Sequence, residues 1–173
     1  RHFRRQRQMC IRDSPSRLQA YFTIALVHDA KGDYAQAIVY LDRMLGDRLE
    51  DELAAQAYDK KAKVLTKIGR FAQADSVLGK LVDGQYASPI VAKAAAQLAQ
   101  SMLAQRDFQA AEKTLNSALE KVDLADKPEL FLKKGDLYFM QKEWRRAQDE
   151  YAKARGVQSG DFSMYFYRLG FVA

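Results

Sequence analysis

One cysteine, two histidines and one tryptophan are all that 173 residues offer of the side chains that most often carry chemistry. A lone Cys10 excludes an intrachain disulfide, and no zinc-type Cys/His spacing occurs. There is no glycine-rich phosphate loop and no Gly-x-Ser-x-Gly elbow. The longest apolar runs are short and broken by charge, so no segment is expected to span a bilayer. Prolines number only three, and two of them, Pro89 and Pro128, fall where a helix should begin: Ser88 precedes one as a capping hydroxyl, and Asp126 with Glu129 has capping-box spacing around the other. The absences leave no catalytic residue, cofactor or metal site to nominate.

What the chain does have is repetition. A small residue is followed about nine positions later by an aromatic, and three further on by alanine: Ala25/Tyr34/Ala37, Ala62/Phe71/Ala74, Ala99/Phe108/Ala111 and Gly135/Trp144/Ala147. The small residues are spaced 37, 37 and 36 apart, and Gly170 follows Gly135 by 35. A period of that length fits one helix pair with its two turns, and units that cannot bury a face alone must stack. Gly32 and Gly69 fall in the turn inside their units, where a left-handed residue closes a helix without Cβ strain, while Arg106 and Lys142 hold the same place later. Gly46, Gly84 and Gly156 mark ends of second helices. Tyr21, Ile24, Ala25 and His28 share a helical face, as do Ala37, Ile38, Leu41, Met44 and Leu45.

This pattern resembles the tetratricopeptide repeat over residues 18–173, with units of roughly 18–50, 51–87, 88–125 and 126–160 and a partial fifth at 161–173. It departs from the family's unit of about 34 residues and lacks the terminal proline in most units. The resemblance implies an all-α fold, a right-handed superhelical solenoid of antiparallel helix pairs with about four repeats plus one partial. His28 then falls at a packing position of a first helix, and Trp144 at the aromatic position of Tyr34, Phe71 and Phe108, so packing is the expected role of both. Glu50, Asp51 and Glu52 fall at a helix start, where carboxylates complement the dipole rather than hold a metal.

The same resemblance implies a function. In the family the concave surface is lined by first-helix residues, which places Lys60, Lys63 and Lys67 there, extended by Lys93 and Lys133 with Gln97 and Gln100 beside them. Phe22, Leu26, Leu132, Phe139 and Met140 are the apolar inner positions. The expectation is a non-catalytic scaffold that binds a protein or peptide of acidic character, by salt-sensitive attraction, or an amphipathic partner helix. Chaperone-binding members use a clamp of lysines, asparagines and an arginine. Here Lys63 stands for asparagine, Asp59 for lysine and Gln97 for arginine, and only Lys93 fits, so chaperone-tail binding is not expected. The alternatives are a sensor or docking arm of a larger kinase, peptidase or glycosyltransferase, or part of a bacterial envelope assembly lipoprotein.

Residues 4–14, RRQRQMCIRDS, resemble translated sequencing-adapter DNA, and residues 1–14 are set aside as an expected disordered artefact. Without Arg1, Arg4, Arg5, Arg7, Arg12 and Asp13 the formal charge falls from +6 to +2, and Cys10 and His2 go as well. A basic arm for nucleic acid then loses its support. A fused adapter implies a fragment, of metagenomic and bacterial style, whose native start and any signal peptide lie elsewhere, so cytoplasm and periplasm stay open. At the other end Phe166, Leu169 and Val172 belong to an uncapped first helix, through which self-association is expected.

Overall fold

The computed structural model describes residues 15–46 and 51–157, so the adapter-like segment, Glu50 and the partial fifth repeat lie outside the described residues. Among the described residues there are eight α-helices and no strand. They are α1 (Pro15–Ala30), α2 (Tyr34–Leu45), α3 (Asp51–Lys67), α4 (Phe71–Asp83), α5 (Ser88–Ala104), α6 (Phe108–Lys121), α7 (Lys127–Met140) and α8 (Trp144–Val157), with a 3-10 turn at Leu124–Asp126. Every second helix opens on the repeated aromatic: Tyr34, Phe71, Phe108 and Trp144 are each a first helical residue.

Four identical turns make the pairs. Gly32, Gly69, Arg106 and Lys142 all take positive φ, at 78°, 74°, 59° and 63°. In the first, the Gly32 amide donates to the Asp29 carbonyl (3.1 Å) and the Asp33 amide to the His28 carbonyl (2.9 Å), closing α1 with a Schellman motif. The same two bonds recur as Gly69 to Thr66 and Arg70 to Leu65, Arg106 to Leu103 and Asp107 to Met102, and Lys142 to Phe139 and Glu143 to Tyr138. The left-handed geometry is therefore a property of the repeat and persists where glycine does not. Asp33 and Asp107 then cap the second helices, accepting from the amides of Gln36 (3.3 Å) and Ala110 (3.0 Å).

The described residues form two compact units that divide within α4, between Val77 and Leu78. In the N-terminal unit α2 packs on both α1 and α3. Leu18, Ala25, Leu41, Met44 and Ala57 form its core, with Tyr21, Phe22, Tyr40, Leu45 and Leu53 packed against it. In the C-terminal unit α6 and α7 pack on α5 and on each other, and α8 on α7. The repeated small residues are buried throughout: Ala25, Ala99, Ala37, Ala111 and Ala147 have no exposure, and Ala62 and Ala74 have 3% and 2%. Gly135 shows why the position must be small. A Cβ there would stand 2.2 Å from Cε1 of the Tyr151 ring. Tyr151 occupies the repeat position of Leu41, Leu78 and Leu115, so the fourth repeat carries a larger residue on α8 and a smaller one on α7.

Three local expectations are corrected. Ser88 does not cap α5, whose N-cap is Ala87 without a side-chain bond. Its hydroxyl accepts from the Asp123 amide (2.8 Å) and donates to the Asp126 carboxylate, tying α5 to the turn before α7. Asp126 is therefore engaged elsewhere and makes no capping box with Glu129. Gly156 lies inside the last turn of α8 rather than beyond its end.

Candidate protein-interaction surface

The first-helix residues nominated from sequence fall into two groups, one in each compact unit. In the N-terminal unit Lys60, Lys63 and Lys67 line one side of α3, as their spacing of three and four requires. Two of them converge on a residue that sequence reasoning missed. Lys60 Nζ donates to Asp29 Oδ2 (2.6 Å) and Lys67 Nζ to Asp29 Oδ1 (2.7 Å), one lysine to each carboxylate oxygen. Asp29 is only 8% exposed and sits in the last turn of α1, where the helix dipole disfavours a negative charge. The two ammonium groups offset that cost: the hydrogen bonds from Lys60 and then Lys67 hold the Asp29 carboxyl below the usual carboxylate range. The Lys67 ammonium is correspondingly raised by its bond to Asp29, and it also stands 5.7 Å from the Tyr34 ring centroid. Lys63 pairs with Asp59 one turn earlier (2.7 Å).

The signal for Asp29 is present in the repeat alignment. Its equivalents are Thr66, Leu103 and Phe139, so an acid stands where later units are mostly apolar. Of the apolar candidates here, Phe22 is partly buried against the core and Leu26 is 38% exposed.

In the C-terminal unit Lys93, Gln97 and Gln100 lie on α5, and Lys133 and Phe139 on α7. Lys133 Nζ donates to Gln100 Oε1 (3.2 Å) and lies 3.9 Å from Asp136, so a polar bridge joins the two first helices. Phe139 receives the Trp144 ring edge-on, with centroids 5.2 Å apart. Trp144 keeps 37% exposure and Phe71 51%, and Tyr34 and Phe108 are half-buried, so none of the repeated aromatics is fully buried. His28 is also half-buried rather than a core residue. It stacks on Tyr40 (5.6 Å, 15°), with Nδ1 3.2 Å from Asp33 Oδ2.

A second polar cluster, also unforeseen, joins α6, α7 and α8. The buried Tyr138 hydroxyl donates to Glu112 Oε1 (2.5 Å) and accepts from Arg146 (2.9 Å). Burial, then the bond to Glu112, push the Tyr138 phenol well above its usual range. Gln109, Glu112, Lys113, Asn116, Ser117 and Glu120 form a shallow polar strip along α6 that includes none of the candidate residues. Among the described residues no group of three or more His, Cys, Asp or Glu stands together as a metal site, and no helix is long and apolar enough to cross a membrane.

Four aromatic-led second helices, four identical left-handed turns and buried small residues at each crossing define a tetratricopeptide-like helical-repeat fold. Two solved structures of that type are similar to it. The crystal structure of MamA superimposes with a TM-score of 0.66 at 23% identity, covering 89% of this chain and 79% of MamA. That of BtubC (BKLC) from P. vanneervenii gives 0.70 at 20% identity, covering 96% and 76%. No protein-family model and no curated protein matches the chain.

Proposed function

We propose that this chain is a non-catalytic protein-interaction scaffold whose first helices receive an acidic peptide segment. The observation that carries the reading is the polar surface within each unit: Lys60, Lys63 and Lys67 on α3, two of them joined to Asp29 of α1, and Lys133 beside Gln100 across α5 and α7. Lys63 and Lys67 are about half exposed, so they can meet a second carboxylate while holding the first. Phe22 and Leu26 in the N-terminal unit, and Lys93, Gln97 and Phe139 in the C-terminal unit, would add lateral polar and apolar contacts to the surface of their own unit. Charge on a surface of this kind contributes more to association rate and selectivity than to bulk affinity.

The test is a display library of peptides with graded acidity, read by binding at low and physiological salt. Enrichment of acidic peptides, with at least a tenfold loss in Lys63→Glu/Lys67→Glu, is the expected result. Equal enrichment of basic and acidic peptides by the wild type, or indifference to the double charge reversal, would refute it.

A further inference from the structure

Asp29 is a residue the repeat does not require. Thr66, Leu103 and Phe139 hold its place in the other three units, and none of them is charged. Two penalties act on it: the dipole at the end of α1 opposes a negative charge, and burial strips its water. What the carboxylate holds in return is a pair of lysines from the surface of α3.

Lys60 and Lys67 stand two turns apart on α3, and each gives one N–H to one Asp29 oxygen, at 2.6 and 2.7 Å. Two ammonium donors, one to each oxygen, are also what would hold the carboxylate of an acidic segment. The neighbouring charges are engaged as well. Lys63 pairs with Asp59 (2.7 Å), Lys61 with Asp42 of α2, and His28 with Asp33, which also caps α2. Lys60, Lys63 and Lys67 against Asp29 and Asp59 leave this surface a single net positive charge. Lys63 and Lys67 are nonetheless half exposed while Asp29 is buried, so an incoming acid reaches the ammonium groups from the solvent side.

We infer that Asp29 is a built-in competitor of the acidic segment: it occupies the Lys60 and Lys67 pair in the free chain and is exchanged for a ligand carboxylate on binding. The inference rests on the reading of α3 proposed above. First contact, on the exposed sides of Lys63 and Lys67, leaves Asp29 in place; full engagement of Lys60 and Lys67 requires its release. A carboxylate carried by the chain itself is present at the pair at high effective concentration, so a weakly acidic segment arriving from solution loses the competition. Asp29 thereby lowers affinity and raises the acidity a ligand needs. A purely structural tie between α1 and α3 predicts the opposite sign, since losing Asp29 would then release the lysines from their positions and weaken binding.

The probe is a fluorescein-labelled oligoglutamate peptide, titrated with the full chain at neutral pH and low salt and read by anisotropy. Asp29→Asn is expected to bind it about fivefold or more tightly than the wild type, and adding Lys60→Gln and Lys67→Gln should abolish the gain. Asp42→Asn removes the same charge from the same unit but frees Lys61 instead, and should change affinity by less than about twofold. Circular dichroism at the assay temperature gives the folded fraction of each variant. A readout that needs no substitution comes from the wild type, in which the Asp29 carboxyl carbon resonance in nuclear magnetic resonance should move as the peptide saturates the chain. Equal or weaker binding by folded Asp29→Asn, an equal gain in Asp42→Asn, or an Asp29 resonance that stays fixed while the peptide binds would overturn the inference and leave the acidic-segment reading standing. No binding by wild type or variant would overturn both. Binding by Asp29→Asn alone would support the competitor and refute the acidic-segment reading for the wild type.

Discussion

Gly135→Ala tests the size exchange between first and second helices most directly. A Cβ at this position would lie 2.2, 2.4 and 2.8 Å from Cε1, Cδ1 and Cζ of Tyr151, where carbon pairs settle at about 3.5 to 4.0 Å. The ring must therefore move by more than about 1 Å. It is not free to do so, being 1% exposed and tethered by its hydroxyl to Asp136 Oδ1 at 2.8 Å. Overpacking of this kind costs about 1 to 3 kcal/mol, against about 1 kcal/mol gained by replacing glycine in a helix interior. The expected net loss is up to about 2 kcal/mol, a fall of up to roughly 8 °C for a chain of this length. Tyr151→Leu alone should also destabilise, by the cavity and the lost hydrogen bond. Together the two changes recreate the Ala/Leu combination of the other three repeats, so the pair should be more stable than the sum of the singles by at least about 1 kcal/mol. Urea unfolding followed by the fluorescence of Trp144, the only tryptophan and a residue of the same repeat, reports the local event, and circular dichroism the whole. A stabilised Gly135→Ala, or singles that add within about 0.5 kcal/mol, would refute the reasoning.

Two further predictions rest on the turns and the buried acid. Arg106→Gly and Lys142→Gly should each stabilise by about 0.5 to 1 kcal/mol, because both residues hold the left-handed φ that costs a side chain about 1 to 2 kcal/mol, partly offset by the greater unfolded freedom of glycine. Gly32→Ala should destabilise by a similar amount, and thermal unfolding of the three variants checks the set. Asp29→Asn should cost about 1 to 3 kcal/mol near neutral pH by removing the negative charge and one of the two oxygens that accept from Lys60 and Lys67. Since the folded carboxyl is held below its unfolded value, its contribution is complete above about pH 4 and is lost as pH falls through the folded value. The gap in urea midpoints between wild type and variant should therefore narrow below about pH 4; a gap of constant size down to about pH 2 would contradict the ion-pair account.

Much of what depends on positions a few residues apart was determined by the sequence alone, the caps expected at Ser88 and Asp126 excepted. The period, the aromatic opening each second helix and the turn at Gly32 and Gly69 are local facts, since a Schellman turn spans six residues and a helical face repeats every three or four. The left-handed turns at Arg106 and Lys142 were half legible: their place in the repeat was plain, but their φ follows from closing the same hairpin without glycine. What tertiary structure decided lies between residues far apart in the chain. Asp29 finds Lys60 and Lys67 at separations of 31 and 38 residues, and Ser88 leaves its own helix for a turn 35 residues on. A hydroxyl or carboxylate bonds to whichever partner packing brings within about 3 Å, and sequence spacing does not encode that distance.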